Sequence, residues 1–273
     1  GELKECSFVD YALFVSFFPQ LIAGPIVTHD EMLPQFKEIG TKRFDEDNFC
    51  RGLFIFVLGM GKKVLIANIL AEAASEITDM SIVIVTGEIA WIGAALYTLQ
   101  IYYDFSGYSD MAIGLGKMFG FEFKENFNYP YASKSISEFW RRWHISLGTW
   151  FREYLYIPLG GNRKGKYRTY VNLLIVFAIT GLWHGASWNF VIWGIYYGML
   201  IVIERIGLQT ILAKNEIFAW IYCIVIVNFG WVLFNQTDIE KAIEEQRYVT
   251  VFEGEKSTIK RFCNGDFTGV ATM

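Results

Sequence analysis

From Thr169 to Ile203 the chain runs for 35 residues without one Asp, Glu, Lys or Arg. The elements of a soluble fold carry charge on their outward face, whereas a bilayer excludes it from a crossing segment. At about 1.5 Å per residue, this stretch exceeds one upright crossing of a roughly 30 Å hydrocarbon core and falls slightly short of two. One long tilted helix, or two helices meeting near His184 between Gly181 and Gly185, is expected. The rest of the chain agrees: of 273 residues, 53% are hydrophobic, 18% aromatic and only 19% charged. That composition points to a membrane protein, and the helical spans read below make an all-α, multi-helix fold the expectation.

The 24 Lys+Arg against 28 Asp+Glu leave no basic excess of the kind that neutralises nucleic-acid phosphates, so no nucleic-acid partner is expected. Cys6, Cys50, Cys223 and Cys263 are scattered without a C-x-x-C pair, and His29, His144 and His184 form no H-E-x-x-H arrangement. Neither a disulfide framework nor a metal site is indicated. The chain opens on Gly1 without a signal peptide and ends at Met273 without a helix stop. It is read as a fragment, with residues 1–237 a partial membrane domain and residues 238–273 a polar, amphipathic or poorly ordered tail.

Tyr11 to Thr28 is uncharged but holds Pro19 and Pro25, and a membrane segment that breaks near Gly24-Pro25 is expected. A polar connection over His29 to Arg51 leads into the apolar pattern Gly52 to Ala74. The pair Lys62-Lys63 inside it calls for an interface or a polar cavity. Ile82 to Tyr103 reads as a clean span, and the glycines at 107, 114, 116 and 120 suggest a short or re-entrant helix packed closely on other backbones. Ser135 to Tyr156 carries the clearest helical period, with Ile136, Phe139, Trp143, Leu147 and Phe151 on one face and Arg141, Arg142 and Arg152 on the other. Ser135 and Glu138 form a capping-box pattern. Such a helix is expected to lie along the membrane interface or to border a polar tunnel, with Pro158 ending it. The basic turn Arg163 to Arg168 places its loop in the cytoplasm by the positive-inside tendency, and Ile217 to Phe234 is a further span. No internal repeat or second soluble domain is visible.

His184 is the one ionisable group in the uncharged run, where such a group is expected to face protein or water. Desolved there, its imidazole is expected to be neutral near neutral pH and able to accept a proton from a hydroxyl; the alternative is a histidine that ties helices together by hydrogen bonds. His144 falls at the border of the apolar and charged faces, either beside a wet cavity or as an ordinary interfacial histidine. Arg141, Arg142 and Arg152 suit phosphate or carboxylate groups, or snorkel to the headgroups. Asp104 and Asp110 flank a Gly-containing turn that suits a polar substrate, or simply end a span.

The blocks Phe17-Phe-Pro-Gln-Leu-Ile-Ala-Gly-Pro25, Tyr103-Asp-Phe-Ser-Gly-Tyr-Ser-Asp-Met-Ala-Ile-Gly114, Asn126-Phe-Asn-Tyr-Pro-Tyr131, Phe139-Trp-Arg-Arg-Trp-His-Ile-Ser-Leu147, Tyr156-Ile-Pro-Leu-Gly-Gly161 and Gly181-Leu-Trp-His-Gly185 occur in one order. Together they resemble the membrane-bound O-acyltransferase (MBOAT) family, closest to its bacterial alginate O-acetyltransferase (AlgI-like) branch and related to DltB-like members. The resemblance covers about Phe8 to Phe234. It implies a multi-helix membrane core with re-entrant and interfacial helices, a thinned centre, and two funnels, one for a cytoplasmic acyl donor and one for the acceptor.

It also maps the family's two histidines onto His184, the principal catalytic one, and His144. Substrate contacts are then expected from Arg141, Arg142, Asp104, Ser106, Asp110, Trp183 and Asn189. The activity implied is transfer of an acetyl or other short acyl group from acetyl-CoA or an acyl-carrier thioester, with no bound cofactor, to hydroxyls of an extracytoplasmic polysaccharide. Transfer is direct or passes through an SGNH-hydrolase-like partner, in a multi-pass protein of the bacterial cytoplasmic (inner) membrane among its lipids. The family's usual N-terminal membrane helices are absent from the match. Two alternatives stay open: D-alanyl transfer to teichoic acid, and a transporter without acyl chemistry, since broken helices and intramembrane histidine also mark substrate pathways. A noncatalytic scaffold is a third.

Overall fold

The computed structural model describes residues 7–21, 24–39, 44–78 and 86–235. The tail beginning at Asp238 and the Ile82–Val85 part of one expected span lie outside the described residues. Among the described residues the chain is built of helices without strands, in agreement with the all-α expectation.

The chain begins with α1 (Phe8–Ser16), a single 3-10 turn (Phe18–Gln20) and α2 (His29–Lys37). The break in the first segment therefore falls at Phe17, earlier than the expected Gly24-Pro25. Phe17 is extended, and the chain restarts as a 3-10 turn with Pro19 near its first position, where the missing N–H leaves no bond unmade. Nine residues reach about 14 Å, too short to cross a bilayer. The polar connection contains α2 itself, whose Glu31 carboxylate accepts from the Thr28 N–H at 3.2 Å and starts the helix.

A long rod follows: α3 (Glu46–Gly61), a π-helical segment (Lys62–Ala67) and α4 (Asn68–Thr78). Phe54, Leu65 and Ile69 stand on its outer surface, 64%, 69% and 60% exposed, an apolar face suited to lipid and costly in water. Antiparallel to it lies α5 (Gly87–Met118), with Thr86 Oγ1 capping the Ile89 N–H at 3.4 Å. The stretch Gly107 to Gly120 is thus no separate or re-entrant helix; most of it is the C-terminal third of one 32-residue helix. Its glycines do pack on another backbone. A Cβ on Gly107 would stand 2.7 Å from the Gly59 carbonyl oxygen, and one on Gly114 would stand 2.6 Å from that of Gly52. The helical cost of each glycine is offset by this approach of α5 to α3. Gly107→Val is expected to push the two helices apart at a cost of about 2 kcal/mol, read as a lower unfolding midpoint in detergent. An unchanged midpoint would show that the contact does not set the packing.

The expected single helix from Ser135 to Tyr156 is broken. Its parts are α6 (Ile136–Arg142), α7 (Ile145–Phe151) and a π turn (Arg152–Tyr156), with His144 between the first two at φ 46° in the left-handed region. The start is as expected in one half: Ser135 Oγ accepts from the Glu138 N–H at 3.0 Å, while the Glu138 carboxylate reaches the Lys134 N–H instead of that of Ser135. Periodicity survives the break because Ile136, Phe139, Trp143, Leu147 and Phe151 are all buried, yet what covers them is protein. Trp143 stacks near Phe139 and Trp231, with ring centroids 5.6 and 4.7 Å away.

The uncharged run resolves as two helices, α8 (Lys166–His184) and α9 (Trp188–Ile203), the second of the two expected forms. A third π segment (Glu204–Leu208), the short α10 (Gln209–Leu212) and α11 (Glu216–Asn235) complete the described chain. By length and composition, Glu46–Ile77, Trp188–Leu212 and Glu216–Asn235 are suited to cross a membrane. The expected early span is absent from that group: in α5, Tyr97, Gln100 and Asp104 dilute the apolar run because they line a cavity. Trp193, Tyr197 and Trp231 from α9 and α11 close over α6 and form the core that positions the site.

Candidate active site

Two cavities meet at His144. The first, about 640 Å³, has His144, His184, Trp183, Asp104, Gln100 and Tyr97 in its wall. The second, about 330 Å³, has His144, Arg141, Arg152 and Arg205, with Trp140 and Phe177.

His184 is the last residue of α8, where the chain turns through Gly185 into α9. The turn is tight because α8 and α9 touch through backbone: a Cβ on Gly181 would stand 2.0 Å from the Phe190 carbonyl oxygen. The ring of His184 lies among those of Trp183, Trp193 and Phe234, with centroids 4.9, 5.2 and 5.3 Å away. Among the described residues its nitrogens make no hydrogen bond, so a role in tying helices together by hydrogen bonds finds no partner there. The imidazole is held by shape and leaves its polar edge for the cavity.

His144 is not on an interfacial border. It is 6% exposed, its ring meets Phe105 edge to face at 4.7 Å, and its Nδ1 stands 3.2 Å from Asn126 Oδ1. Burial follows from the left-handed break, which turns the side chain out of the helical path into the space beneath α5 and α8. Trp183 also approaches it, at 6.4 Å between centroids, so this indole neighbours both histidines.

Asp104 is the acid of the first cavity. Its carboxylate accepts from Lys63 Nζ at 2.6 Å and from Gln100 Nε2 at 3.0 Å. Asp110 pairs in the same way with Lys62 at 2.6 Å but lies outside both walls. The two lysines that made the Gly52 to Ala74 span costly are thus neutralised by α5, one of them through a cavity residue.

The remaining expected contacts divide. Trp183 lines the first cavity and Arg141 the second, together with Arg152. Arg142 turns away, paired with Glu138 at 2.8 Å and reaching the Asn128 carbonyl at 3.3 Å. Ser106 is 1% exposed and Asn189 4%, and neither stands in either wall.

Three residues escaped the sequence reading. Arg205 joins Arg141 and Arg152 on the second cavity from 53 residues or more away, and only its place just after the uncharged run marks it. Glu204, 1% exposed, accepts from the Ile136 N–H at 2.6 Å, the Ser137 N–H at 3.0 Å and the Ser137 hydroxyl at 2.7 Å. It holds the N-terminal turn of α6 from α9's far end, as a carboxylate does at a helix start. Asn126 sits in a block already singled out, but nothing in its spacing tells which side chain it meets.

The model of the membrane-bound O-acyltransferase family, MBOAT, matches residues 1–240. "Probable alginate O-acetylase AlgI" of Azotobacter vinelandii is 49% identical over 236 residues, covering 86% of this chain and 46% of that protein. "Peptidoglycan O-acetyltransferase" of Helicobacter pylori is 45% identical over 245 residues, 87% of this chain and 46% of that protein. "Teichoic acid D-alanyltransferase" of Bacillus subtilis is 28% identical over 200 residues, 69% of this chain and 49% of that protein. The chain spans about half the length of these relatives.

Proposed function

Because the chain belongs to the membrane-bound O-acyltransferase family, we propose that it carries the transfer site of a membrane O-acetyltransferase of exported polysaccharide. The observation that carries the reading is the shared wall: His144 lines both cavities, and His184 lines one of them. A reaction joining two substrates of different polarity needs two approaches that meet at one catalytic group, and proximity of this kind supplies much of the acceleration.

The second cavity suits the donor. Arg141, Arg152 and Arg205 form no ion pair among the described residues and present guanidinium groups to a phosphate-bearing thioester such as acetyl-CoA or an acyl carrier. The first cavity suits a hydroxyl acceptor, on the polysaccharide or on a relay protein. In the step proposed, neutral His184 takes the proton of the hydroxyl as its oxygen attacks the thioester carbonyl. The C–O bond forms, the C–S bond breaks, and the departing thiolate recovers a proton from the histidine. His144 orients the reacting groups or stabilises the charge that develops. An SGNH-hydrolase-like transferase that finishes delivery outside the membrane is part of the proposal by analogy with similar systems, as is multi-pass placement in the bacterial inner membrane.

The test supplies the full-length protein in proteoliposomes with labelled acetyl-CoA or with a D-alanyl carrier. Acetyl turnover is the expected outcome; dependence on the D-alanyl carrier alone would move the assignment to the teichoic acid branch, and transport of label without covalent transfer would overturn both. The double variant Arg152→Gln/Arg205→Gln is expected to raise the donor KM about 10-fold with kcat little changed, the mark of lost uniform binding. An unchanged KM would remove the donor from the second cavity.

A further inference from the structure

Three groups converge on one oxygen of Asn126. Its Oδ1 stands 3.1 Å from the Ser146 backbone nitrogen, 2.9 Å from Ser146 Oγ and 3.2 Å from His144 Nδ1. A backbone N–H can only donate, so the atom it faces is the carboxamide oxygen rather than the nitrogen. Ser146 Oγ accepts from the Ile26 N–H at 3.0 Å and gives its own proton to Asn126 Oδ1 at 2.9 Å rather than to His144 Nδ1, which stands farther off at 3.5 Å. An amide oxygen can only accept, and the His144 Nδ1 that faces it must therefore be the ring nitrogen bearing hydrogen.

We infer that Asn126 is a positioning residue of the transfer site, holding the ring proton of His144 on Nδ1 so that Nε2 meets the cavities as a hydrogen-bond acceptor. The backbone supports the same arrangement. Asn126 is 1% exposed, its carbonyl accepts from the Ile145 N–H at 3.0 Å, and two residues on the Asn128 N–H donates to the Arg142 carbonyl at 2.9 Å. These two bonds straddle His144 and hold its left-handed backbone, a conformation costly for a side-chain-bearing residue and retained where the surroundings over-determine it. The Asn126 side chain thus reads the ring while its backbone reads the break.

Resting on the acyl-transfer reading, this decides between the two roles offered for His144. A neutral ring with its hydrogen on Nδ1 has none on Nε2 to give to an oxyanion. His144 orients by accepting from a substrate donor other than the hydroxyl that His184 deprotonates, and charge on the tetrahedral oxygen is met by other donors.

The experiment is nitrogen NMR of histidine-labelled full-length protein in lipid nanodiscs, with His144 assigned by its loss in His144→Gln. The expected spectrum is that of a neutral ring protonated on Nδ1. Asn126→Ala is expected to move the proton to Nε2 and to lower kcat for acetyl transfer about 100-fold with KM held within about 3-fold, as when a wrong tautomer is left in an intact site. Asn126→Asp keeps the accepting oxygen and is expected to keep the Nδ1 proton and restore most of the rate. A wild-type His144 protonated on Nε2 or on both nitrogens, or an Asn126→Ala spectrum unchanged from wild type, would overturn the assignment. Should the alanine variant fail to fold, the wild-type and aspartate spectra decide it. The spectrum needs no turnover, so its failure is distinct from failure of the acyltransferase reading.

Discussion

His184→Ala in the full-length protein is expected to lower acetyl incorporation into exported polysaccharide by about 10² to 10⁴, the range typical of a lost general base. Membrane insertion and unfolding midpoint are expected to stay near wild type. The separation of the two effects follows from the surroundings of the ring. Trp183, Trp193 and Phe234 enclose it, and none of them can accept a proton in its place. Because no described residue donates to or accepts from its nitrogens, removing the ring strands no buried partner, and what is lost is van der Waals contact in a cavity wall. Incorporation measured at matched membrane levels checks this. Wild-type incorporation in the variant would return His184 to packing and favour a scaffold or transporter.

The second large effect is on stability. Glu204→Ala is expected to destabilise the fold by about 4 kcal/mol, since two backbone N–H groups and one hydroxyl lose their acceptor in a dry site. Glu204→Gln should recover only part of this, because the amide turns an NH₂ toward groups that themselves donate. The loss is expected to reach the site, since Glu204 holds the start of α6 and α6 ends one residue before the Trp143-His144 break. Thermal unfolding of both variants in detergent is the measurement. A Glu204→Ala curve superimposed on wild type would show that water or Ser135 supplies the start of α6 instead.

Local chemistry was legible at one helix start. Ser135 marks the beginning of α6 through a hydroxyl three residues from its partner. The glycines of α5 were legible as close-packing sites but not as the middle of a long helix. Glycine lowers helix propensity, and only the facing backbone of α3 offsets that cost. The stripe from Ile136 to Phe151 was legible as buried, yet its continuity misled: hydrophobic spacing reports which side chains face inward and is silent on a one-residue excursion to positive φ.

By itself the sequence determined that the chain is helical and membrane-suited, and that a lone ionisable His184 interrupts its longest uncharged run. Membrane suitability and the isolation of His184 follow from the transfer cost of charge, and helicity follows from the need of a crossing backbone to pair its own N–H and C=O groups. Tertiary structure alone decided what neutralises Lys62 and Lys63, what holds α6, and which side chain faces Nδ1 of His144. Those answers rest on partners 48, 41, 68 and 18 residues away, and hydrogen bonds and ion pairs act through space at about 3 Å, a distance that spacing along the chain does not encode.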